Sequence, residues 1–225
     1  ATSYLDFDGF TRELRSIVNS SDLASMEALG STLEGREVWL VTVANSSGTP
    51  LAERPGVLVV GNLEGDHLAG SHLAMESIRY LIQNAQEEAV EAALADHVFY
   101  FFPRLNPDGA EAMFAQVKSD RKTNTHPYDD DNDGRIDEDG PEDLNGDGFI
   151  SWMQIPDPGG EWAGAEETDE IPRRANIAAG ETGGYSFITE GIDNDGDGLI
   201  NEDGPGGVNP GRNFPHRFEH YVPEN

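Results

Sequence analysis

Residues 57–67 read Val-Leu-Val-Val-Gly-Asn-Leu-Glu-Gly-Asp-His, a short apolar run followed by a glycine-bounded turn. Residues 67–82, which come next, carry apolar side chains at helical spacing. The segment therefore predicts a strand, a turn and a helix, with the wholly apolar strand covered on both faces of a sheet. Functional side chains collect at such strand-to-helix turns in open α/β sheets.

The predicted turn places a carboxylate and an imidazole three residues apart, at Glu64 and His67. Zinc accepts both ligand types, and a catalytic zinc site takes three protein ligands and leaves one position for water. Glu64 and His67 are therefore candidate zinc ligands that need a third donor. His126, His216 and His220 are candidate replacement ligands, although no spacing ties them to His67.

The segments around this turn predict alternating helices and strands. Residues 8–18 have the spacing of an amphipathic helix, with Asp8 as a candidate N-cap. Residues 38–43 and 97–102 are rich in β-branched or aromatic side chains and predict strands. A strand, a crossover helix and a second strand imply parallel pairing. We therefore expect an α/β fold with a mixed, mostly parallel sheet flanked by helices.

Three later segments repeat one spacing of oxygen-bearing side chains: loop 1 (residues 129–140), loop 2 (143–154) and loop 3 (193–204). Each has oxygen side chains at positions 1, 3, 5 and 9, glycine at position 6 and isoleucine at position 8, as calcium loops do over their first nine positions. The predicted calcium ligands are Asp129, Asp131, Asp133, Asp137, Asp139, Asp143, Asn145, Asp147, Ser151, Asp193, Asp195, Asp197, Asn201 and Asp203.

None of these loops ends as an EF-hand does, because position 12 is Gly140, Gln154 or Gly204 instead of a bidentate glutamate. Loops 1 and 3 place an aspartate at position 11 instead. A static structural role is favoured over a sensor role, since no long helices are predicted beside the loops. A solvated acidic linker is the alternative, but it would not need glycine and isoleucine at fixed positions in every copy.

Acidic residues dominate the chain, with 43 Asp and Glu against 14 Lys and Arg and a net charge of -29. This charge argues against nucleic acid or an anionic membrane as a partner. The chain contains no cysteine and no apolar run near the roughly 20 residues that span a bilayer, so we expect no disulfides and no membrane insertion. A start at Ala1 is typical of a mature secreted protein, which favours an extracellular location.

Four motifs, in order along the chain, resemble those of the zinc metallocarboxypeptidases of the carboxypeptidase A type. Residues 30–36 resemble that family's "G-x-S-x-E-G-R", residues 103–109 its "P-x-x-N-P-D-G", and residues 207–215 its "G-V-D-x-N-R-N-F-P". Residues 61–67 are similar to its "G-N-x-H-x-x-E", with the two ligands exchanged. The resemblance implies a carboxypeptidase-like but incomplete α/β fold, because the family's third zinc ligand and catalytic glutamate would lie beyond Asn225.

The resemblance also implies a substrate-binding role for three residues. Arg212 matches the arginine that binds a substrate's terminal carboxylate, and Arg121 and Asn124 match the family's "R-K-x-N/R" segment. Gly211 departs from the family, which has asparagine there. The alternative is that these arginines form ion pairs with the many nearby aspartates. No catalytic residue is assigned.

These observations divide the chain into a carboxypeptidase-like α/β domain (1–124), an Asp-rich calcium-binding insertion (125–206) and a return segment (207–225). We expect an extracellular calcium-binding module that is not a competent peptidase by itself, with calcium-dependent homo-oligomers and peptide C-termini as candidate partners. The alternative is a zinc metallocarboxypeptidase that releases C-terminal amino acids, with its third ligand and general base in a missing C-terminal half.

Overall fold

The computed structural model describes residues 4–130, 132–163 and 172–215, which form two compact units. The first unit contains the described residues up to Pro127 together with those from Gly206 onward. The second unit is Tyr128–Pro205. The candidate ligands Asp131, His216 and His220 lie outside the described residues.

The first unit consists of helices and strands that alternate along the chain. Their bounds are α1 Phe7–Val18, β1 Ala24–Ser31, β2 Glu37–Val43, β3 Gly56–Val60, α2 Leu68–Gln83, α3 Glu88–Asp96, β4 Val98–Phe102 and α4 Pro107–Glu111. Helix α1 is capped by Asp6, not by the predicted Asp8, because Asp6 Oδ1 accepts a hydrogen bond from the N–H of Gly9 at 2.8 Å. Among the described helices, none combines the length and the apolar character that crossing a membrane requires.

The strands of the first unit form one sheet in the order β1-β2-β4-β3. Strand β2 pairs antiparallel with β1 and with β4, whereas β3 and β4 are parallel. The sheet is mixed, as predicted, but the prediction of a mostly parallel sheet is wrong for the described residues. A tight turn joins β1 to β2 and permits only antiparallel pairing, and only β3 and β4 are joined by a helical crossover.

Strand β3 lies at the edge of this sheet, and the prediction that both of its faces are covered is wrong for the described residues. Val59 packs against the core, whereas Leu58 on the opposite face is 62% exposed. Alternate residues of a strand point to opposite faces. The apolar run therefore has one covered face, and the other has no cover in the described chain.

The hydrophobic core lies between the sheet and helices α1, α2 and α3. Its members include Phe10, Leu14, Trp39, Val41, Ile78, Leu94 and Phe101. Because β3 and β4 are parallel, their carboxyl ends lie at the same edge of the sheet. The turn 61–67 follows β3 there, and residues 103–109 follow β4, so the core positions the two segments side by side.

Two of the motif segments meet at the buried side chain of Asp108. Its Oδ1 accepts hydrogen bonds from Thr32 Oγ1 and from Arg36 Nη1, both at 2.8 Å. Its Oδ2 accepts one from Thr125 Oγ1 at 3.2 Å. Asp108 is only 3% exposed, so a buried charge is paired and hydrogen-bonded as burial requires. Arg36 and Asp108 therefore have a structural function here.

The second unit is built on a small antiparallel sheet with the order β5-β8-β6-β7. Its strands are β5 Trp152–Pro156, β6 Trp162–Ala163, β7 Arg173–Arg174 and β8 Tyr185–Thr189. Trp162 and Phe187 form an edge-to-face pair with ring centroids 5.0 Å apart. Loop 2 runs directly into β5, and loops 1 and 3 lie outside this sheet.

Candidate metal centres

The turn at residues 61–67 is held in place by hydrogen bonds to its backbone. Asn62 has a positive φ of 53°, and its Nδ2 donates to the carbonyl oxygens of Glu64 and Gly65, both at 2.9 Å. A Cβ atom on Gly65 would collide with the backbone of Gly109 and Arg121. Only glycine therefore fits at residue 65, because any side chain there would clash with the neighbouring backbone.

This turn brings three ligand atoms together, one more than the sequence predicted. The ligand atoms of Glu64, Asp66 and His67 all lie within 4.8 Å of one another. His67 Nε2 is 3.7 Å from Glu64 Oε2 and 3.9 Å from Asp66 Oδ1. Ligands placed tetrahedrally around zinc are about 3.4 Å apart, given metal–ligand distances near 2.1 Å. Asp66 Oδ1 is buried and has no hydrogen-bond partner. The three residues thus fit zinc in the number of ligands, in the type of ligand atom and in the distances between those atoms.

A residue from the arginine motif contacts this candidate zinc centre. Asn209 Nδ2 donates a hydrogen bond to Glu64 Oε1 at 3.3 Å, and Asn209 Oδ1 accepts one from the N–H of Gly211 at 2.8 Å. Such a partner fixes the orientation of a ligating carboxylate. The motif therefore lies beside Glu64, and the exposed Arg212 follows in the short 3-10 helix Pro210–Arg212.

Arg121 and Asn124 were predicted to bind substrate. In the structure they join the segment that precedes the second unit to the segment that follows it. Arg121 Nη2 donates to the carbonyl oxygens of Asn124 and Gly206, at 2.6 and 2.7 Å. The N–H of Asn124 donates to Val208 O at 3.0 Å, and Val208 N–H donates back to Asn124 Oδ1 at 2.8 Å. These contacts lie wholly within the first unit. His126 is exposed, and its Nδ1 lies 2.8 Å from Pro127 O.

In their described residues, the three aspartate loops share the same turn hydrogen bonds and the same positions of positive φ. The position-6 N–H bonds Oδ2 of the position-1 aspartate at 3.2, 2.8 and 3.0 Å in loops 1, 2 and 3. The position-7 N–H bonds Oδ1 of the position-5 aspartate at 2.7, 2.9 and 2.7 Å. Positions 4 and 6 have positive φ in every loop, at 67° and 97°, 73° and 85°, and 88° and 100°. Glycine and asparagine adopt that conformation most readily, which accounts for the repeated residues.

In loop 3 this conformation brings three of the predicted ligands together. In loop 3 the carboxylates of Asp193, Asp195 and Asp197 lie within 4.8 Å of one another. Carboxylates about 4 Å apart repel by roughly 4 kcal/mol per pair at an effective dielectric near 20. Hard oxygen ligands gathered in this way suit calcium. The cluster therefore supplies three carboxylates, and calcium binding there stays a prediction.

Each loop is also held by a buried carboxylate from outside it. Glu190 accepts hydrogen bonds from loop 2 at Leu144 N, Asn145 N, Ser151 N and Ser151 Oγ, with distances from 2.7 to 3.2 Å. These bonds, led by the Ser151 hydroxyl, hold the pKa of Glu190 below its usual value. Asp139 accepts from Asn194 N and Asn201 N of loop 3 at 2.9 and 2.7 Å. Asp203 accepts from the N–H of Asp130 in loop 1 at 2.7 Å.

Two glutamates that sequence reasoning missed lie against these buried aspartates. Burial, followed by the neighbouring Asp203, raises the pKa of Glu138 to about 7. Burial and the neighbouring Asp139 likewise raise the pKa of Glu202 to about 7. Both glutamates occupy position 10, in the repeated Glu-Asp-Gly-Pro of residues 138–141 and 202–205. That repeat was the available signal, whereas Glu190 and Asn209 had none because their partners are distant in sequence.

Comparison with known proteins places the chain in a family. The family model described as zinc carboxypeptidase matches residues 11–225. Carboxypeptidase M of Mus musculus is 29% identical over 111 residues, covering 47% of this chain and 24% of that protein. Carboxypeptidase D of Rattus norvegicus is 28% identical over 110 residues, covering 48% of this chain and 8% of that protein. The chain thus spans about a quarter or less of these relatives.

The fold has a matching neighbour among solved structures. The crystal structure of thrombin activatable fibrinolysis inhibitor superposes with a TM-score of 0.52 at 10% identity, covering 61% of this chain and 34% of that chain. This likeness concerns the fold alone, which is carboxypeptidase-like. Since the family model spans all but the first ten residues, the chain belongs to the zinc carboxypeptidase family.

Proposed function

We propose that this chain is a secreted, calcium-binding carboxypeptidase-like module in which calcium ions fold the second unit. The observation that carries the proposal is the hydrogen bonding that the three loops share, in which backbone N–H groups hold the position-1 and position-5 aspartates in the same way in each copy. Metal binding to a site that forms only on folding contributes its free energy to folding. Extracellular calcium modules bind at about 0.1 to 1 mM, a range consistent with a secreted location.

Limited proteolysis with and without a chelator tests the calcium proposal. Calcium is expected to protect the second unit, and chelation is expected to open the loops, because the carboxylates then repel one another. Magnesium at the same concentration is the control for ionic strength, since it resists leaving its own waters for a protein cage. Equal cleavage between residues 128 and 205 in calcium and in chelator would reject the proposal.

A structural function for this chain is supported by its departures from the family motifs. Glu64 and His67 stand in exchanged positions, and Gly211 replaces an asparagine in the carboxylate-binding motif. Calcium would also neutralise part of the net charge of -29 and so permit self-association. Light scattering tests this extension, and an unchanged monomer mass in calcium and in chelator would remove it.

Zinc peptidase activity is the second candidate function, favoured by the clustering of Glu64, Asp66 and His67. Bound zinc would supply a Lewis acid that lowers the pKa of a bound water. The three side chains would hold the metal, Asn209 would orient Glu64, and Arg212 would take the C-terminal carboxylate of a peptide.

Elemental analysis of His67→Ala and His72→Ala tests the zinc proposal. His67 lies in the cluster, whereas His72 packs against Tyr4 with ring centroids 6.4 Å apart, so it serves as a matched control. We expect about one equivalent of zinc in the wild type and in His72→Ala, and loss of it in His67→Ala. Zinc retained by His67→Ala, or absent from the wild type, would reject this centre.

A further inference from the structure

Loops 1 and 3 are joined to each other by reciprocal contacts. The position-11 aspartate of loop 1, Asp139, bonds the backbone of loop 3, and its counterpart Asp203 bonds the backbone of loop 1. The N–H of Asp139 also donates to Asp203 O at 3.2 Å. The two aspartates are 0% and 1% exposed. Loops 1 and 3 thus form one paired structure, which we name the loop 1/3 pair.

The loop 1/3 pair leaves buried carboxylate oxygens without hydrogen-bond donors. Glu138 lies against Asp203, and Glu138 Oε2 and Asp203 Oδ2 are both buried acceptor oxygens that receive no hydrogen bond from an N–H or hydroxyl group. On the other side Glu202 lies against Asp139, and Glu202 Oε2 is likewise buried and unpartnered. Two facing acceptor oxygens require either a shared proton or a cation.

The same glutamate belongs to a cluster that crosses from one loop to the other. Ligand atoms of Glu138 and Asp133 in loop 1 and of Asp195 in loop 3 lie within 4.8 Å of one another. Arg135 lies beside this cluster, with Nε 3.7 Å from Asp133 Oδ2 and Nη1 3.8 Å from Asp195 Oδ2. Acidic groups from both loops therefore converge on one place, and one of them, Glu138, also lies against the buried Asp203.

At loop 2 the buried carboxylate has hydrogen-bond donors for both of its oxygens, so it needs neither a cation nor a shared proton. Both oxygens of its buried carboxylate, Glu190, accept hydrogen bonds from loop 2, and neither oxygen is unpartnered. The contrast sets the loop 1/3 pair apart from loop 2. Among the described residues of the three loops, buried oxygens without a hydrogen-bond partner occur in loops 1 and 3, whose position 11 is an aspartate, and none is found in loop 2.

We propose that loops 1 and 3 share a divalent-cation site formed by Asp133, Glu138, Asp195 and Asp203, so that calcium binds the two loops as one coupled unit while loop 2 binds independently. This inference rests on the proposed calcium function. The carboxylates supplied across the pair take the place of the glutamate that position 12 lacks in loops 1 and 3. Coupling follows because an ion in either loop orders ligands that belong to the other.

Calcium titration calorimetry on the whole chain tests the proposal, with Glu138→Gln as the principal variant. We expect it to weaken calcium binding to loops 1 and 3 together by about tenfold or more. Asp195→Asn, on the opposite side of the cluster, should weaken the same binding step. Glu142→Gln removes the same charge from an exposed residue between loops 1 and 2, and is expected to bind as the wild type does. Asp143→Asn should weaken only the independent step of loop 2.

The possible results distinguish a failure of the shared site from a failure of the proposed calcium function. Absence of calcium binding to the wild type would overturn the proposed function itself. Calcium binding with wild-type affinity in Glu138→Gln would overturn only the shared site, because glutamine mimics a protonated glutamate and keeps a donor for Asp203. Loss of one ion while the other loop binds normally would also overturn it. Near-ultraviolet circular dichroism at saturating calcium checks that each variant is folded.

Discussion

Two buried carboxylates, Asp108 and Glu190, have both of their oxygens hydrogen-bonded to backbone or side-chain donors. Asp108 accepts from Thr32, Arg36 and Thr125, and Glu190 accepts from loop 2 alone. A buried charge is tolerated only when donors replace the water it has lost. Individual acids therefore specify the conformation of loops that have few apolar contacts of their own.

Replacing Asp108 with alanine should lower the free energy of unfolding by about 3 kcal/mol, because the change removes the buried acceptor of two hydroxyls and leaves Arg36 paired with the more exposed Glu34 alone. Urea unfolding in saturating calcium measures the effect. Asp120→Ala removes an equal charge from an exposed position and serves as the control. Equal midpoints for the two variants would contradict the structural role of Asp108.

Glu181 is the residue for which pH dependence is clearest. Hydrogen bonds from Arg173, and then from the N–H of Asn176, lower the pKa of Glu181 to about 2. A depressed folded-state pKa stabilises the fold above the unfolded value near 4.3, and that stabilisation is lost as pH falls toward 2. Carboxyl NMR titration should give a midpoint near 2 that rises toward 4.3 in Arg173→Ala. A midpoint unmoved by that change would refute the assignment.

At the scale of elements, hydrophobic periodicity predicted individual helices and strands better than the order in which the strands pair. The strand, turn and helix at residues 57–82 and the parallel pairing of β3 with β4 were predicted correctly. Strand β1 was missed because Ala24–Ser31 is mostly exposed and has little of the apolar alternation that marks a strand. Asp66 was missed since a spacing argument linked only Glu64 and His67. The edge position of β3 depends on which strands are neighbours, and local sequence carries little of that information.

The 61–67 turn should tolerate no side chain at residue 65. Gly65→Ala is expected to destabilise the first unit by about 3 kcal/mol and to abolish zinc binding, since its Cβ would push against rigid backbone. Gly30→Ala is the matched control, because its Cβ would meet no atom within 4 Å. Thermal unfolding and zinc content, measured together, test this, and normal zinc content in Gly65→Ala would count against the close approach.

At the scale of the whole molecule, two units depend on different forces. The first unit has an apolar core of helices on a sheet, whereas the second combines a small sheet with loops dominated by carboxylates. Ligand binding stabilises only the part that contains the site, by about 2.7 kcal/mol per site at a hundredfold excess over Kd. Calcium should therefore act on one unit and leave the other nearly unchanged.

Differential scanning calorimetry should show this separation directly. We expect two unfolding transitions in calcium and a shift of only one of them, to lower temperature, in chelator. The cavity-forming variant Ile78→Ala, in the core of the first unit, should move the other transition instead. A single transition that moves as a whole in both experiments would contradict independent sources of stability.

The hydrogen bonds between Asn124 and Val208 have a consequence for engineering. They close the host chain across the point where an excursion of about eighty residues leaves and returns. The two ends of the excursion therefore lie close enough together for a short connection to join them. We therefore expect that the excursion can be deleted, with a short connection in its place, while the first unit still folds.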